Sequence, residues 1–249
     1  IKEHNCVSPR LARDHHLFEY QFSKLPQFGF RCIGIDTRGF GKSDKPFYGY
    51  DYDTLSDDVR GVVETLGLSD FTLAGHSTGG AIAVRYMKRH RGYGVKKLVL
   101  IAAAAPSLIK RPNFPYGIDQ EMVLQIINET YNDRPKMLRD FGDMFFFKHI
   151  SQAFSDWFFQ LGLQAAGWAT AEIAKTWIKE VLFEDMEAIQ VPTLIVHGIH
   201  DKIIPFKLGE IQQKMIHNSV LVPLKFSGHG CFYDQKDEFN DILIKFSES

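Results

Sequence analysis

Ser77 stands at the centre of Gly75-His76-Ser77-Thr78-Gly79, a G-x-S-x-G pattern placed where an apolar run ends and a helical period begins. A serine hydroxyl is a poor nucleophile at neutral pH until a neutral imidazole takes its proton. That imidazole in turn needs a carboxylate to fix its tautomer. Two later segments supply the missing types: Asp201 in HGIHD and His229 in FSGHG, each just after an apolar run. Together the three residues would carry acyl transfer, with Ser77 attacking a carbonyl, His229 shuttling the proton and Asp201 orienting His229. The pattern around Ser77 is weak alone, since about one chain in ten of this size would show it by chance. Its context strengthens it. A serine on a tight strand-to-helix turn needs small neighbours, and Gly75, Gly79 and Gly80 are there. The Thr78 amide, at the start of the following helix, is then placed to donate to an oxyanion.

The elements that must hold these residues are legible as two alternating periods. Phe30 to Ile35, Phe71 to Gly75, Lys97 to Ile101, Thr193 to His197 and Val220 to Phe226 are short apolar runs bounded by Gly, Asp or Pro; each predicts a strand buried on both faces. Between them, Leu55, Val59, Val62, Val63 and Leu66 form one helical stripe, with Asp53 or Thr54 as N-cap and Gly67 as stop. Further helices are expected over Gly79 to His90, around Lys207 to Ile216, and through Phe239, Ile242, Leu243 and Phe246. Strand-helix alternation implies a mostly parallel sheet with helices on both faces. Ser77, Asp201 and His229 then share the carboxyl edge of that sheet, where open α/β folds bind ligands. Residues 107–185 break the alternation and hold 14 of the 33 aromatics, which predicts inserted helices. The aromatics, Phe141, Phe145, Phe146, Phe147, Trp157, Phe158, Phe159, Trp168 and Trp177 among them, either form only that unit's own core or also line a pocket. The division is 1–106 with 186–249 as the core, and 107–185 as the insertion.

Other suggestive residues read as structural. Gly39, Gly41, Lys42 and Ser43 mimic the end of a phosphate-binding loop, but Asp36 occupies the position that needs Gly. Asp44 likewise replaces the third Gly of G-x-G-x-x-G, so the stretch is expected to be a turn in which Asp36 and Arg38 tie loops together. His197 and His200 suggest a metal pair, yet no third ligand follows with suitable spacing. His76 either touches the pocket or is a buried, hydrogen-bonded residue of the elbow. Cys231, two residues after His229, lacks a basic neighbour and is expected to pack as a small hydrophobe. His15 and His16 are expected on the surface at a helix start.

Composition narrows the function classes. Lys plus Arg is 29 and Asp plus Glu is 30, a net charge of -1, too small to draw the chain onto nucleic acid or anionic lipid. The three cysteines, Cys6, Cys32 and Cys231, are odd in number and show no C-x-x-C, so neither a disulfide framework nor a zinc site is readable. A cytoplasmic location is expected. The longest apolar run, Leu98 to Ala105, has eight residues against the roughly 20 needed to cross a bilayer. No metal and no cofactor are expected.

FRCIGIDTRGFGKSDKP, DYDTLSDDVRGVVETLGLSDFTLAGHSTGG, LIVHGIHDKIIP and GHGCFYDQKDEF together resemble the α/β-hydrolase superfamily, and within it the cofactor-free haloperoxidases, also described as perhydrolases or serine esterases. The order Ser, Asp, His is the one that fold requires. The resemblance runs from about residue 17 to the end. It implies nucleophile, acid and base at Ser77, Asp201 and His229, a helical cap at 107–185, and a small, largely apolar ester as substrate, with perhydrolysis as a side reaction. Members of the family enter the site through an apolar strand followed by His-Gly, whose loop supplies a second oxyanion donor. Here that pair would fall near Pro9 and Arg10, where no His-Gly stands. Ile1 to Ser8 also match a buried central strand poorly. The amino-terminal strands are therefore expected to be missing or atypical, or a segment around residues 8–12, with the Leu11 amide, rebuilds the donor. The alternative function is a catalytically weak ligand-binding or interaction protein that keeps the pocket.

Overall fold

The computed structural model describes the backbone of residues 4–10 and residues 15–249 in full. Six strands, β1 (His4–Arg10), β2 (Phe30–Asp36), β3 (Phe71–His76), β4 (Val95–Ile101), β5 (Thr193–Gly198) and β6 (Ser219–Leu224), form one sheet in the order β2-β1-β3-β4-β5-β6. Every pairing is parallel. Period-two alternation sends neighbouring residues to opposite faces. Leu98 and Leu100 of β4 join the cluster under α2 (Tyr52–Thr65) and α3 (Thr78–Arg89), with Leu55, Val59, Ile82 and Val84. Val99 and Ile101 join the other cluster, with Leu17, Phe18, Phe232, Phe239 and Leu243. Burial on both faces is why β3, β4 and β5 read as apolar runs; the same expectation fails at β2 and β6, which lie at the sheet edges and leave Arg31, Val220 and Pro223 exposed.

Two expectations need correction. The segment ahead of residue 11 is not missing from the sheet: the His4–Arg10 backbone pairs with β2 over its whole length and with β3 at Cys6 and Val7. Flanking strands on both sides impose this, and strand propensity yields to such tertiary context. The N-cap of α2 is Asp51, not Asp53 or Thr54. Asp51 holds the extended backbone a cap needs, φ -71° and ψ 156°, and its carboxylate accepts from the Thr54 amide and hydroxyl, both at 2.8 Å. The helix ends ahead of Gly67 at φ +59°, as its sequence predicts.

Short α1 (Glu19–Lys24) precedes β2. Five helices lie between β4 and β5: α4 (Gln120–Asn132), α5 (Arg134–Phe145), α6 (Gln152–Leu163), α7 (Gly167–Lys179) and α8 (Phe183–Glu187). Then come α9 (Lys207–Met215), the single turn α10 (Cys231–Asp234) and α11 (Lys236–Glu248). The chain steps from β1 out to β2, then returns past β1 to β3. Strand order reverses beside β3, so the crevice at its carboxyl end is the natural ligand site of this topology. Ser77 is the first residue beyond β3.

Candidate active site

The turn after β3 is built by backbone contacts too close for side chains. A Cβ on Gly75 would sit 2.4 Å from the Gly79 carbonyl oxygen, and one on Gly80 would sit 2.3 Å from the Ala103 Cβ. Between them Ser77 is forced to φ +56° and ψ -124°, a left-sided conformation that costs a non-glycine residue about 1–3 kcal/mol. The cost is borne by a fixed frame. The Ser77 amide donates to Ile101 O at 2.9 Å, and its carbonyl accepts from Gly80 N at 2.9 Å and Ala104 N at 3.0 Å. Ser77 occupies the N-cap position of α3 yet makes no side-chain capping bond, so its half-buried hydroxyl is not spent on the helix. The Thr78 amide belongs to the first turn of α3, whose N–H groups have no acceptor within the helix.

Asp201 and His229 meet across the ends of β5 and β6. His229 Nδ1 lies 2.8 Å from Asp201 Oδ2, and both side chains are essentially buried, at 1% and 0% exposure. The other carboxylate oxygen accepts from the Ile203 and Ile204 amides, both at 2.8 Å. Burial, the largest influence on Asp201, pushes its carboxyl upward. It is outweighed by the electrostatic influence of the His229 ring and by hydrogen bonds from His197 and His229, so the group lies well below the usual carboxylate range. An ionised carboxylate only accepts, which places the His229 proton on Nδ1 and a lone pair on Nε2. That Nε2 is buried and has no hydrogen-bond partner.

His76 joins the two halves. Its Nε2–H donates to the His229 carbonyl at 3.0 Å, and the two rings lie 4.4 Å apart between centroids. The residue before Ser77 is thus buried and hydrogen-bonded, and it touches the candidate base. The helical insertion reaches the same place from above. Phe145 sets its ring against His229 at 4.9 Å, edge-on at 85°, and the Trp177 indole N–H donates to Thr78 Oγ1 at 3.0 Å. Phe146 packs on Phe154, Phe158 and Tyr233, and Phe154 stacks on Tyr233. The aromatics therefore do not form only the insertion's own core: Phe145 reaches His229, and Phe146 and Phe154 reach Tyr233 outside the insertion.

Sequence reasoning missed Asp234. Its carboxylate accepts from the amides of Gly228 at 2.8 Å, Phe147 at 2.9 Å and Lys148 at 3.0 Å, pinning the insertion to the loop that carries His229. Position alone, five residues beyond His229, gave no sign of this, because its partners are backbone groups distant in sequence. The Leu11 amide, the expected second oxyanion donor, lies outside the described residues. Asp36 and Arg38 tie loops together as expected: Asp36 accepts from the His15 and Lys42 amides, and Arg38 pairs with Asp58 through two bonds of 2.6 Å. His15 opens a 3-10 turn, with its ring also on Asp36. His197 and His200 part company. His197 turns inward, while His200 is exposed and stacks on Phe147 at 4.1 Å. Cys231 is fully buried, and burial first, then the nearby carboxylates Asp201 and Asp234, push its thiol far above the ordinary range, as fits a packed hydrophobe.

This sheet order, elbow and insertion are those of the α/β-hydrolase fold, whose family model matches residues 11–234. The chain belongs to that family and is an enzyme of its esterase and haloperoxidase-like kind. It is 47% identical over 236 residues to the AB hydrolase superfamily protein YisY of Bacillus subtilis, covering 95% of this chain and 88% of that one. Among solved structures it resembles an esterase from Exiguobacterium antarcticum, with 38% identity, a TM-score of 0.97 and coverage of 99% and 92%. It also resembles a bromoperoxidase from Bacillus anthracis, with 30% identity, a TM-score of 0.94 and the same coverage.

Proposed function

We propose that the chain is a serine-dependent hydrolase of small, largely apolar carboxylic esters, working through an acyl-enzyme beneath a cap formed by residues 107–185. One observation carries the reading: a buried Asp201–His229 pair leaves a bare imidazole nitrogen in the loop that His76 ties to the strained Ser77 elbow. In the first half-reaction Ser77 Oγ attacks the ester carbonyl carbon while His229 Nε2 takes the hydroxyl proton. The tetrahedral oxyanion is met by the Thr78 amide. Collapse expels the alcohol, which leaves with the proton held by His229. In the second half-reaction water loses a proton to His229 and attacks the acyl carbon, releasing the acid and restoring the Ser77 hydroxyl. Hydrogen peroxide in place of water transfers the acyl group to its oxygen and yields a peracid, with no net redox change at the enzyme. Phe145 beside His229 and the indole of Trp177 on Thr78 favour apolar acyl groups.

The test is turnover of a panel of chromogenic esters of increasing acyl length, with and without added peroxide. The expected result is a burst equal to the enzyme concentration on a short activated ester, and peracid formed at the expense of free acid when peroxide is present. Absence of turnover across the panel overturns the reading in favour of a binding protein.

A further inference from the structure

We propose that His197 is a positioning residue for the Asp201–His229 pair, its Nε2–H holding the same carboxylate oxygen that His229 uses. The proposal deepens the esterase reading and rests on it. His197 stands near the end of β5 with 0% side-chain exposure, and its Nε2 lies 3.0 Å from Ile204 O and 3.3 Å from Asp201 Oδ2. A carbonyl oxygen only accepts, so Nε2 carries a proton, shared between carbonyl and carboxylate. The other nitrogen, Nδ1, is buried and has no hydrogen-bond partner. A Cβ on Gly209 would come within 2.9 Å of it, so α9 closes over this nitrogen with no group to receive a proton. The ring thus donates from Nε2 and offers Nδ1 to no partner.

These bonds form a closed circuit. Asp201 Oδ1 accepts the Ile204 amide, the Ile204 carbonyl accepts from His197 at 3.0 Å, and the same Nε2 lies 3.3 Å from Asp201 Oδ2, a longer electrostatic contact that closes the circuit. The carboxylate plane is therefore fixed on both oxygens, and the direction of the His229 bond with it. A second donor on Oδ2 also draws off part of the negative charge that would otherwise favour protonated His229. The depressed carboxyl of Asp201, on which His197 is one of the lowering influences, agrees with this. Asp201 is the titratable group in contact with His197. Helix α9 and the residue before it face the ring with Gly209 and Phe206, which carry no charge. Asp201 and His76 contact His229, while Asp234 holds the neighbouring Gly228 amide and Cys231 lies two residues further on.

The experiment compares His197→Leu, which removes the donor, with His197→Gln, whose amide nitrogen falls where Nε2 was. Both are read as kcat and KM across pH on a chromogenic ester, with sulfonyl fluoride labelling of Ser77 in the parent chain as control. The expected result for His197→Leu is a kcat lower by about tenfold to 10²-fold with KM little changed. The acid limb of kcat/KM should move upward by about half a pH unit or more. His197→Gln should recover most of both. Parent-like kcat and acid limb in His197→Leu overturn the proposal. So do equal losses in both variants with an unmoved limb, which mean that His197 only fills space. Should His197→Leu not fold, 15N shifts of the parent chain decide: Nε2–H on His197 at the pH of activity is expected, and Nδ1–H refutes it. A parent chain that neither labels nor turns over sinks the esterase reading itself, a result distinct from these.

Discussion

The sheet ends and the helical insertion bring residues to the same place by different physics. Ser77, Asp201 and His229 sit on turns fixed by backbone hydrogen bonds and by contacts that admit no Cβ. The insertion contributes Phe145 and Trp177 through side-chain packing and one indole hydrogen bond. The first region tolerates almost no change of shape, because its strain at Ser77 persists only while the surrounding backbone holds. The second is adaptable, since apolar surfaces repack at modest cost. Under the proposed mechanism chemistry belongs to the rigid region and substrate choice to the adaptable one, a division that can be broken at either end.

The largest effect is expected at the reacting groups. Ser77→Ala should lower kcat by about 10⁶-fold, and His229→Ala nearly as much, while Asp201→Asn should cost about 10⁴-fold. Thermal melts should show all three folded. Next comes the frame. Gly75→Ala places a methyl group 2.4 Å from the Gly79 oxygen, so the elbow must shift, and kcat should fall by about 10²-fold or more together with the melting temperature. Parent-like activity in this variant would mean that the turn is not rigid. Third, Phe145→Ala, at a ring only 3% exposed, should cost about 3–5 kcal/mol of stability. Its kcat on short esters should change less than that of Gly75→Ala, and longer acyl groups should gain. A loss at kcat as large as that of Gly75→Ala would erase the distinction between the regions.

The smallest expected effect concerns pH. Asp201 is depressed below the ordinary carboxylate range, so it stays charged across the working range. The acid limb of kcat/KM should therefore carry no ionisation from Asp201, and a second ionisation above about pH 4 would contradict this. The sign for stability follows from the same shift. A carboxyl depressed in the folded state lends its full stabilisation above its unfolded value of about 4 and loses it as pH falls through the folded one. Chemical denaturation at a series of pH values should show stability falling on that side, and less so for Asp201→Asn.

Much of this was legible in the chain. Apolar runs marked β3, β4 and β5 because burial on both faces leaves little room for polar residues, and the edge strands β2 and β6 were legible as strands although one face of each stays open; G-x-S-x-G marked the elbow because only small residues fit there. The α2 cap was displaced because Asp51, Asp53 and Thr54 are all good caps, and the backbone angle that decides among them is not written in residue type. β1 was illegible because its neighbours, not its own side chains, make it a strand. Asp234 was missed, and His197 was singled out only as half of a metal pair, for a third reason: their partners are backbone groups and a carboxylate brought close only by the loops after β5 and β6. Which aromatics reach the site likewise depends on where α5 and α7 land on the sheet.

The claim at the centre is that Ser77 is a nucleophile activated by His229. It is tested most directly by incubating the chain with an aryl sulfonyl fluoride, digesting it and locating the adduct by mass spectrometry, in the parent and in His229→Ala. A single adduct on Ser77 that abolishes ester turnover, and its loss or strong slowing in His229→Ala, is the predicted result. An unlabelled Ser77 in a folded chain, or turnover that survives full labelling, would contradict it.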